Sequence, residues 1–202
     1  MGWRPGGPLI DYRGAALALL DIIKSRRSIR NFLDRPVERE KVMLCLEAAR
    51  LAPSACNSQP WKFIIVDDRE LKDRLCRAAF SGIYSVMSFA GKAPLVVAVV
   101  SEKEKFLERI GGLLRDTRFY LIDIGIATEH FILQAEELGL GTCWIGWFDE
   151  RAVKSVLDVP KDRKVDVLIA VGYCDRKNLG RPHKRDSMEE IAAFNSYDGA
   201  VD

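Results

Sequence analysis

Residues 118–138, RFYLIDIGIATEHFILQAEEL, form the longest helical pattern in the chain, and Gly139 and Gly141 end it. Its large apolar side chains spread around most of the helix circumference: Phe119, Leu121, Ile122, Ile124, Ile126, Phe131, Ile132 and Leu133. A helix of this kind needs burial on more than one side. It is either a central core helix within one chain or a helix shared with a partner subunit, and the pattern leaves both open.

Shorter patterns on either side of this stretch alternate between helix and strand. In the first of them, Leu17, Leu20 and Ile23 or Ile22 recur at helical spacing and would share one apolar face. The predicted helices are residues 15–27 and 38–52, and the predicted strands are residues 62–66, 95–100, 142–146 and 165–173. This alternation predicts a layered α/β or α+β domain.

The length and composition of the chain suit one domain. Its 202 residues with 48% hydrophobic content are enough for a continuous core. We assign that domain to residues 15–202, behind a flexible leader of residues 1–14 that is rich in glycine and proline. A last short helix is expected where Ser187 and Glu190 have the spacing of a capping box.

Charge, apolar runs and cysteines exclude several classes of protein. The 31 basic and 29 acidic side chains leave a net charge of +2, too little to gather nucleic acid or an anionic membrane. The longest apolar run, residues 93–100, is far too short to cross a bilayer, and the N-terminus lacks the order of a secretory signal. Five scattered cysteines and two distant histidines indicate a cytoplasmic protein with reduced thiols and no metal site.

Residues 26–30, RRSIR, place three guanidinium groups and a hydroxyl close together at the end of the first predicted helix. The planar fork of arginine binds phosphate oxygens in pairs. In extended chain Ser28 and Arg30 would project to the same side. The segment therefore suits a bound anion, although the same residues could merely complement the negative end of the helix dipole.

Residues 53–61, PSACNSQPW, form a polar loop bracketed by prolines, between a predicted helix and a predicted strand. Small hydroxyls and amides can hydrogen-bond the edge of a flat heterocycle, and the pyrimidine side of a flavin offers matching donors and acceptors. Loops of this composition also serve simply to satisfy their own backbone groups.

A third unusual segment, residues 139–149, GLGTCWIGWFD, has two tryptophans flanking a glycine at the end of a predicted strand. Gly146 would let backbone approach a ligand closely, and the aromatic rings could wall a cofactor site. We interpret Trp144 as a core residue. For Trp147 the sequence leaves both core packing and contact with a cofactor open. The chain lacks the strand-then-Gly-x-Gly-x-x-Gly order, so a permanently held NAD on a Rossmann domain is disfavoured.

A short basic run, residues 181–185, follows the final predicted strand. It could meet residues 26–30 around a phosphate, although basic tails are usually just solvated. No catalytic triad follows from the spacing, and His130 fits a satisfied interior or interface histidine. The chain thus lacks acid–base machinery of its own, so a cofactor is expected to supply the chemistry.

Taken together and in this order, these four segments resemble the nitroreductase family of FMN-dependent oxidoreductases. The resemblance covers roughly residues 15–194, and its specificity comes from the joint spacing of RRSIRNF and APSACNSQPW. It implies an α+β sandwich with a central mixed, mainly antiparallel sheet flanked by helices, in a domain-entwined homodimer. Two FMN sites would lie at the interface, each lined by both subunits. The long apolar helix would pack against the other subunit at the same interface.

The resemblance also assigns roles to individual residues. Arg30 would lie beside the N1–O2 edge of the flavin, the loop residues would come from the second subunit, and His183 and Arg185 would bind the phosphate. The implied cofactor-binding set is Arg26, Arg27, Ser28, Arg30, Pro53, Ser54, Ala55, Asn57, Gln59, Trp144, Ile145, Gly146, Trp147, His183 and Arg185.

Three departures from the family pattern limit this transfer. Ala55 stands where serine is frequent, which leaves only backbone contact with the flavin at that position. Trp147 replaces a common glycine and would narrow the substrate side of the cavity. His183 in place of lysine or arginine would weaken the phosphate clamp at alkaline pH.

The implied activity is a ping-pong transfer with one cavity for both half-reactions. NADH or NADPH would deliver hydride to flavin N5 and leave before a nitroaromatic, quinone or similar electron-poor acceptor enters, with Arg30 stabilising the negative charge of the reduced flavin. Alternatives within the family are reductive dehalogenation, flavin reduction and oxidative fragmentation of the flavin. The same residues would also support a protein that binds FMN without turnover, and a dimeric structural module is a third possibility.

Overall fold

The computed structural model describes residues 19–102, 117–179 and 184–199, so the predicted leader, Leu17 and His183 lie outside the described residues. The helices are α1 (Leu19–Ser25), α2 (Arg39–Arg50), α3 (Arg69–Ala79), α4 (Phe119–Glu137), α5 (Glu150–Val156) and α6 (Met188–Ile191). The strands are β1 (Trp61–Val66), β2 (Leu95–Ser101), β3 (Gly141–Ile145) and β4 (Lys164–Gly172). Short 3-10 helices lie at Ala55–Asn57, Gly82–Lys92 and Arg176–Asn178.

The four strands form one sheet in the order β1-β2-β4-β3, with each neighbouring pair antiparallel. The central strands β2 and β4 are almost entirely buried, because helices cover both faces of the sheet. Among the described residues, the parallel contribution to this sheet is one bridge between Ser28 and Thr142. The predicted α+β fold with a mainly antiparallel sheet is confirmed.

Alternate residues of β2 belong to two separate hydrophobic clusters, one on each face of the sheet. Val96 and Ala98 pack with residues of α3 and α5, whereas Val97 and Val99 pack with residues of α2 and α4. The Phe131 ring of α4, fully buried, stacks on a β1 ring with centroids 6.0 Å apart. The second cluster therefore fixes α4 across one face of the sheet.

Helix α4 is only partly covered by its own chain. Ile124 and Phe131 are buried against the sheet, whereas Leu121 and Ile122 are 40% and 53% exposed. The predicted need for burial on a second side is therefore not met by the described residues of one chain. Among the described helices, none combines the length and the apolar character that crossing a bilayer requires.

The ends of two helices follow their predicted signals. Gly139 adopts a φ of +78°, and the N–H of Leu140 donates to the carbonyl of Ala135 at 2.8 Å, which closes α4. The N–H of Ser187 donates to Oε2 of Glu190 at 2.7 Å, and together they form the capping box of α6. Both predictions are confirmed.

Of the apolar face predicted for the first helix, the alternative Ile22 is confirmed and Leu20 is wrong. Ile22 is buried, whereas Leu20 is 57% and Ile23 is 47% exposed. Helix α1 ends at Ser25, and among its described residues Ile22 is the buried one. Arg26 and Arg27 therefore follow the helix instead of belonging to it.

Candidate functional site

The arginine segment, residues 26–30, runs in extended chain beside the edge strand β3. The N–H of Ile29 donates to the carbonyl of Thr142 at 2.8 Å, and Ser28 bridges to the same residue. Ile29 is buried, whereas Ser28 and Arg30 are exposed. The side chains of Ser28 and Arg30 therefore project to the same side of the extended chain, as predicted. The sheet edge therefore presents a hydroxyl and a guanidinium group together.

Gly141 permits the close approach of this segment to β3. A Cβ atom on Gly141 would lie 2.6 Å from Cγ1 of Ile29, nearer than real Cβ contacts come. Ile29 therefore packs directly over the backbone of the strand. Sequence analysis missed this role of Gly141, because it depends on a contact between residues far apart in the chain.

The charges of the arginine segment lack acidic partners in the described part of the chain, where Arg26, Arg27 and Arg30 form no ion pair. The guanidinium of Arg30 lies 5.8 Å from the ring centroid of Phe89. Burial raises the pKa of the Cys143 thiol, and the positive charges of Arg30 and Arg26 oppose that rise. The cavity beside the segment has a volume of about 360 Å³ and is lined by residues 27–30 with Asn31, Asp175 and Leu179. These features suit an anion.

The polar loop, residues 53–60, joins α2 to β1 in a strained conformation. Cys56, Asn57 and Gln59 have φ values of +50°, +50° and +49°, in the left-handed region that such residues seldom adopt. The N–H of Gln59 donates to Oγ of Ser54 at 3.0 Å, and its side-chain amide donates to Oδ1 of Asn57 at 2.9 Å. Strain of this kind persists where the surroundings over-determine it, and it clusters at ligand sites.

A buried carboxylate anchors the polar loop from α4. Asp123 is 4% exposed, and its Oδ1 accepts a hydrogen bond from the N–H of Ala55 at 3.1 Å. Its Oδ2 and the Oγ of Ser58 are buried without a hydrogen-bond partner among the described residues. Buried polar atoms nearly always have partners, and these two find none in the described part of their own chain. Sequence analysis missed Asp123, although an acidic residue within an apolar helical stretch is a usable signal.

The turn that follows β3 brings Gly146 and Trp147 toward the 3-10 helix Gly82–Lys92. A Cβ atom on Gly146 would meet no atom within 4 Å, so the backbone there borders open space. The indole N–H of Trp147 donates to the carbonyl of Ile83 at 3.2 Å, and its ring lies 5.1 Å from that of Tyr84. Trp147 is still 52% exposed, so part of its ring is free to contact a ligand.

Trp144 lies on an exposed face of β3, so the predicted core packing of this residue is wrong. It is 44% exposed, whereas Cys143 and Ile145 on either side are 3% and 1% exposed. Side chains alternate along a strand, and β3 is an edge strand whose other face is left uncovered at this position. The indole is therefore available to a ligand or another chain.

The arginine segment and the polar loop lie at opposite corners of the sheet in one chain. The loop leads into Trp61, which pairs with Ser101 at one end of β2. The arginine segment contacts Thr142, whose partner Val171 lies opposite Leu95 at the other end of β2. Those two ends are about 20 Å apart at the rise of an extended strand. Because β1 and β3 are also the two edges of the sheet, one chain cannot wrap both segments around one small ligand.

The closing basic run is described only in part. Arg185 is exposed and forms no ion pair with another described residue. Arg181 and His183 lie outside the described residues. The convergence of this run on the arginine segment stays a prediction.

Comparison with known proteins identifies the family. The model of the nitroreductase family matches residues 23–173, a range that contains the arginine segment, the polar loop and Trp147. The chain belongs to the nitroreductase family. This membership makes it an oxidoreductase and confirms the resemblance drawn from the four segments.

Nitroreductase-family relatives of this chain carry different names. A protein of Archaeoglobus fulgidus, provisionally named NADH dehydrogenase/NAD(P)H nitroreductase, is 34% identical over 85% of this chain and 95% of its own. The 5,6-dimethylbenzimidazole synthase of Rhodospirillum rubrum is 31% identical over 83% of this chain and 86% of its own. The solved FMN-dependent nitroreductase of Clostridium difficile R20291 has a TM-score of 0.68 at 28% identity and covers 88% of this chain and 99% of its own.

Proposed function

We propose that this nitroreductase-family chain is an FMN-dependent enzyme that works as a homodimer. It would transfer hydride from NADH or NADPH to small electron-poor acceptors such as nitroaromatics and quinones. The observation that carries the proposal is the position of the unpaired arginine segment and the strained polar loop at opposite corners of one sheet. A second copy related by two-fold symmetry would bring the loop of each chain beside the arginine segment of the other.

The arginine segment fits the phosphate and ribityl end of FMN. In the described part of the chain no carboxylate neutralises its guanidinium groups, so they can form charge-assisted hydrogen bonds to an anion. Asp175 borders the same cavity, but its Oδ1 accepts the N–H of Lys177 at 3.0 Å and caps a 3-10 helix. We assign the phosphate to Arg26, Arg27 and Ser28, with His183 and Arg185 completing the clamp.

The polar loop and the open space beside Gly146 fit the flat ring of FMN. Asn57 orients the side-chain amide of Gln59, which gives the loop donors and acceptors for the pyrimidine edge. Oδ1 of Asp123 accepts the N–H of Ala55 at 3.1 Å, so α4 holds the loop in the conformation that would meet the ring. Pro53, Ser54 and Ala55 complete the surface that the second copy contributes.

Exposed apolar side chains on α2 and α4 supply a contact surface for the second copy. Met43 and Leu44 are 56% and 51% exposed, and Leu121 and Ile122 remain uncovered on the neighbouring helix α4. Apolar surface of this extent on packed helices favours a protein partner over solvent. The homodimer would therefore bury the side of α4 that one chain leaves open.

The chemistry divides between cofactor and protein. When bound, FMN supplies two-electron hydride transfer, which amino-acid side chains cannot perform. Arg30, steadied beside Phe89, would place a positive charge at the N1–O2 edge and stabilise negative charge there. Ile145 and Gly146 would hold backbone close to the ring near N5, and Trp144 and Trp147 would help to exclude water.

Spectroscopy and hydrodynamics test this proposal directly. We expect the purified protein to be yellow, to hold one FMN per chain, to have the mass of a dimer, and to sustain NAD(P)H oxidation with a nitroaromatic or a quinone. A colourless monomer that ignores added FMN would contradict the proposal. A dimer that binds FMN but is reduced by neither NADH nor NADPH would instead be a passive flavin binder.

A second candidate is favoured by the name of the Rhodospirillum rubrum relative, a 5,6-dimethylbenzimidazole synthase with 31% identity. In that case the flavin would be fragmented during the reaction, whereas a reductase returns it unchanged. Incubation of the protein with excess FMN and NADH in air, followed by mass spectrometry, separates the two. Quantitative recovery of FMN favours the reductase, and a benzimidazole product favours the synthase.

A further inference from the structure

We infer that Trp147 determines which acceptors the enzyme takes, by presenting a fixed aromatic wall to planar, electron-poor rings. The inference rests on the proposed function and deepens it, because it names the residue that selects planar aromatic acceptors over non-planar ones. Three features of the structure support it. The turn that carries Trp147 has a rigid base, two contacts hold the indole, and the 3-10 helix that makes these contacts, Gly82–Lys92, also contacts Arg30.

The turn that carries Trp147 has a rigid base. Two residues further on, the N–H of Asp149 donates to the carbonyl of Ala79 at the end of α3, at 2.9 Å. The side chain of Asp149 accepts the N–H of Ala152 at 3.0 Å and so caps α5. The backbone beside Trp147 is therefore fixed to two helices that pack on the sheet.

The indole of Trp147 is held at its edge and beside its ring. Its N–H donates to the carbonyl of Ile83 at 3.2 Å, and the Tyr84 ring lies 5.1 Å away at an angle of 55°. Both partners belong to the 3-10 helix Gly82–Lys92. With these contacts made, 52% of the residue is still exposed, so ring surface remains for a ligand.

The same 3-10 helix relates Trp147 to the arginine segment. Tyr84 contacts Trp147, and Phe89 contacts Arg30 at 5.8 Å, five residues further along. At the rise of a 3-10 helix these two contacts lie about 10 Å apart. One short segment of chain therefore contacts both Trp147 and Arg30, and we infer that the exposed face of the indole borders the acceptor side of the proposed flavin site.

The indole favours one class of acceptor. It is an electron-rich aromatic surface, and a nitroaromatic ring is electron-poor, so offset stacking between them is favourable. The contribution of such a pair corresponds to an affinity change of about twofold to tenfold. A non-planar acceptor gains nothing from the same wall, so selectivity arises at the binding step.

Binding to the oxidised holoenzyme tests the inference without turnover. The dissociation constant of 4-nitrobenzamide is measured by titration calorimetry for the unaltered protein, Trp147→Phe and Trp147→Leu. Both variants lose the hydrogen bond to Ile83, but only the leucine variant loses the aromatic face. We expect binding to weaken about fivefold to tenfold in Trp147→Leu and less than about threefold in Trp147→Phe.

Steady-state kinetics supply a second readout. With NADH as donor, the KM for 4-nitrobenzamide should rise in Trp147→Leu. The KM for ferricyanide should change by a smaller factor, because each NADH reduces two ferricyanide ions without stacking, so the ratio of the two KM values reports the aromatic contact. If Trp147→Leu does not fold, Tyr84→Leu replaces it, and loss of its ring contact should weaken 4-nitrobenzamide binding about twofold.

Three outcomes would overturn the inference. The first is unchanged affinity for 4-nitrobenzamide in a Trp147→Leu protein that still holds FMN, or in Tyr84→Leu where that variant replaces it. Trp147 would then not form an aromatic wall for the acceptor. Equal losses in Trp147→Phe and Trp147→Leu would show that Trp147 acts only through Ile83. An unaltered chain that binds no FMN would overturn the proposed function, and the inference with it, whereas the first two outcomes leave the proposed function intact.

Discussion

The arginine segment and the polar loop are the two candidate halves of one site, and they are built in opposite ways. The arginine segment is fixed by backbone contact with an edge strand, has no left-handed residue and keeps its charges free of described acidic partners. The side chains of the polar loop hydrogen-bond within the loop, and three of its residues are left-handed. The buried carboxylate of Asp123 anchors its backbone.

This contrast separates recognition of charge from recognition of shape. A phosphate is bound from any direction that guanidinium groups can reach, so the segment that carries them needs no strained backbone. A flat ring must be met edge-on by groups in fixed positions, and a strained loop with internal hydrogen bonds provides them. Because the two halves lie at opposite corners, the function we propose belongs to a pair of chains.

A mixed dimer is expected to give the largest effect. One chain carries Arg26→Ala with Arg27→Ala, and the other carries Asn57→Ala with Gln59→Ala. Each parent homodimer should lose nearly all bound FMN, whereas the mixed dimer should hold one FMN and about half of the wild-type activity, since one of its two sites is unaltered. Two affinity tags isolate the mixed dimer, and absorbance gives its FMN content. A mixed dimer as empty as its parents would place both halves in the same chain.

Replacement of Arg30 should have the next largest effect, on rate more than on affinity. Loss of a preorganised charge beside developing negative charge costs about 100-fold in rate, so Arg30→Ala should slow flavin reduction by about that factor. Stopped-flow absorbance with excess NADH measures the reduction, and equilibrium titration measures FMN affinity. Arg30→Lys, which keeps the charge, should recover part of the rate. Reduction of Arg30→Ala at the wild-type rate would remove the assigned role.

Gly141→Ala tests the close packing beneath the arginine segment. The added Cβ would lie 2.6 Å from Cγ1 of Ile29, so the unfolding free energy should fall by about 1–3 kcal/mol. Gly146→Ala is the matched control, because a Cβ there meets nothing within 4 Å and should leave stability unchanged. Urea denaturation of the two proteins at equal concentration, both freed of FMN because Gly146 borders the proposed flavin site, makes the comparison. Equal midpoints would contradict the packing described for Ile29.

Cysteine labelling should give the smallest effect and concerns the polar loop. Burial raises the pKa of Cys45 to about 12 and that of Cys76 to about 11. The thiolate is the reactive form, so between pH 7 and 9 these two should stay unlabelled by iodoacetamide in the folded protein. Exposed Cys56 should label, and saturating FMN should slow it a few-fold. Peptide mass spectrometry reads each site, with urea-unfolded protein as control. Cys45 labelling as fast as Cys56 would contradict the burial.

Elements with local signals were predicted to within a residue or two. Helix α2, the four strands and the stop at Gly139 follow from periodicity and turn residues, which depend on near neighbours. The face of α1 was predicted only in part, because Leu20, Ile22 and Ile23 are equally apolar and only their packing partners select Ile22. The exposure of Trp144 was missed for the same reason, since edge position depends on strand order.

The candidate site was predicted by chemical type more than by arrangement. The residue types of the arginine segment and the polar loop are sufficient to suggest a phosphate and a heterocycle. The sequence did not predict the role of Asp123, the left-handed residues of the polar loop, or the hydrogen bond from Trp147 to the carbonyl of Ile83. The contacts of Asp123 and of Ile83 join segments far apart in the chain, which no spacing rule describes, whereas the left-handed residues belong to a loop with its own internal hydrogen bonds.

The amino-acid sequence by itself determined the bounds of α2, α4 and the four strands to within a residue or two, and which segments carry charge, amides and aromatic rings, because these follow from interactions over a few residues. Only the tertiary structure decided that β1 and β3 are the edges of the sheet, and therefore that the polar loop and the arginine segment are separated within one chain. Strand order and register result from burying both faces of β2 and β4 at once, which is a property of the whole core.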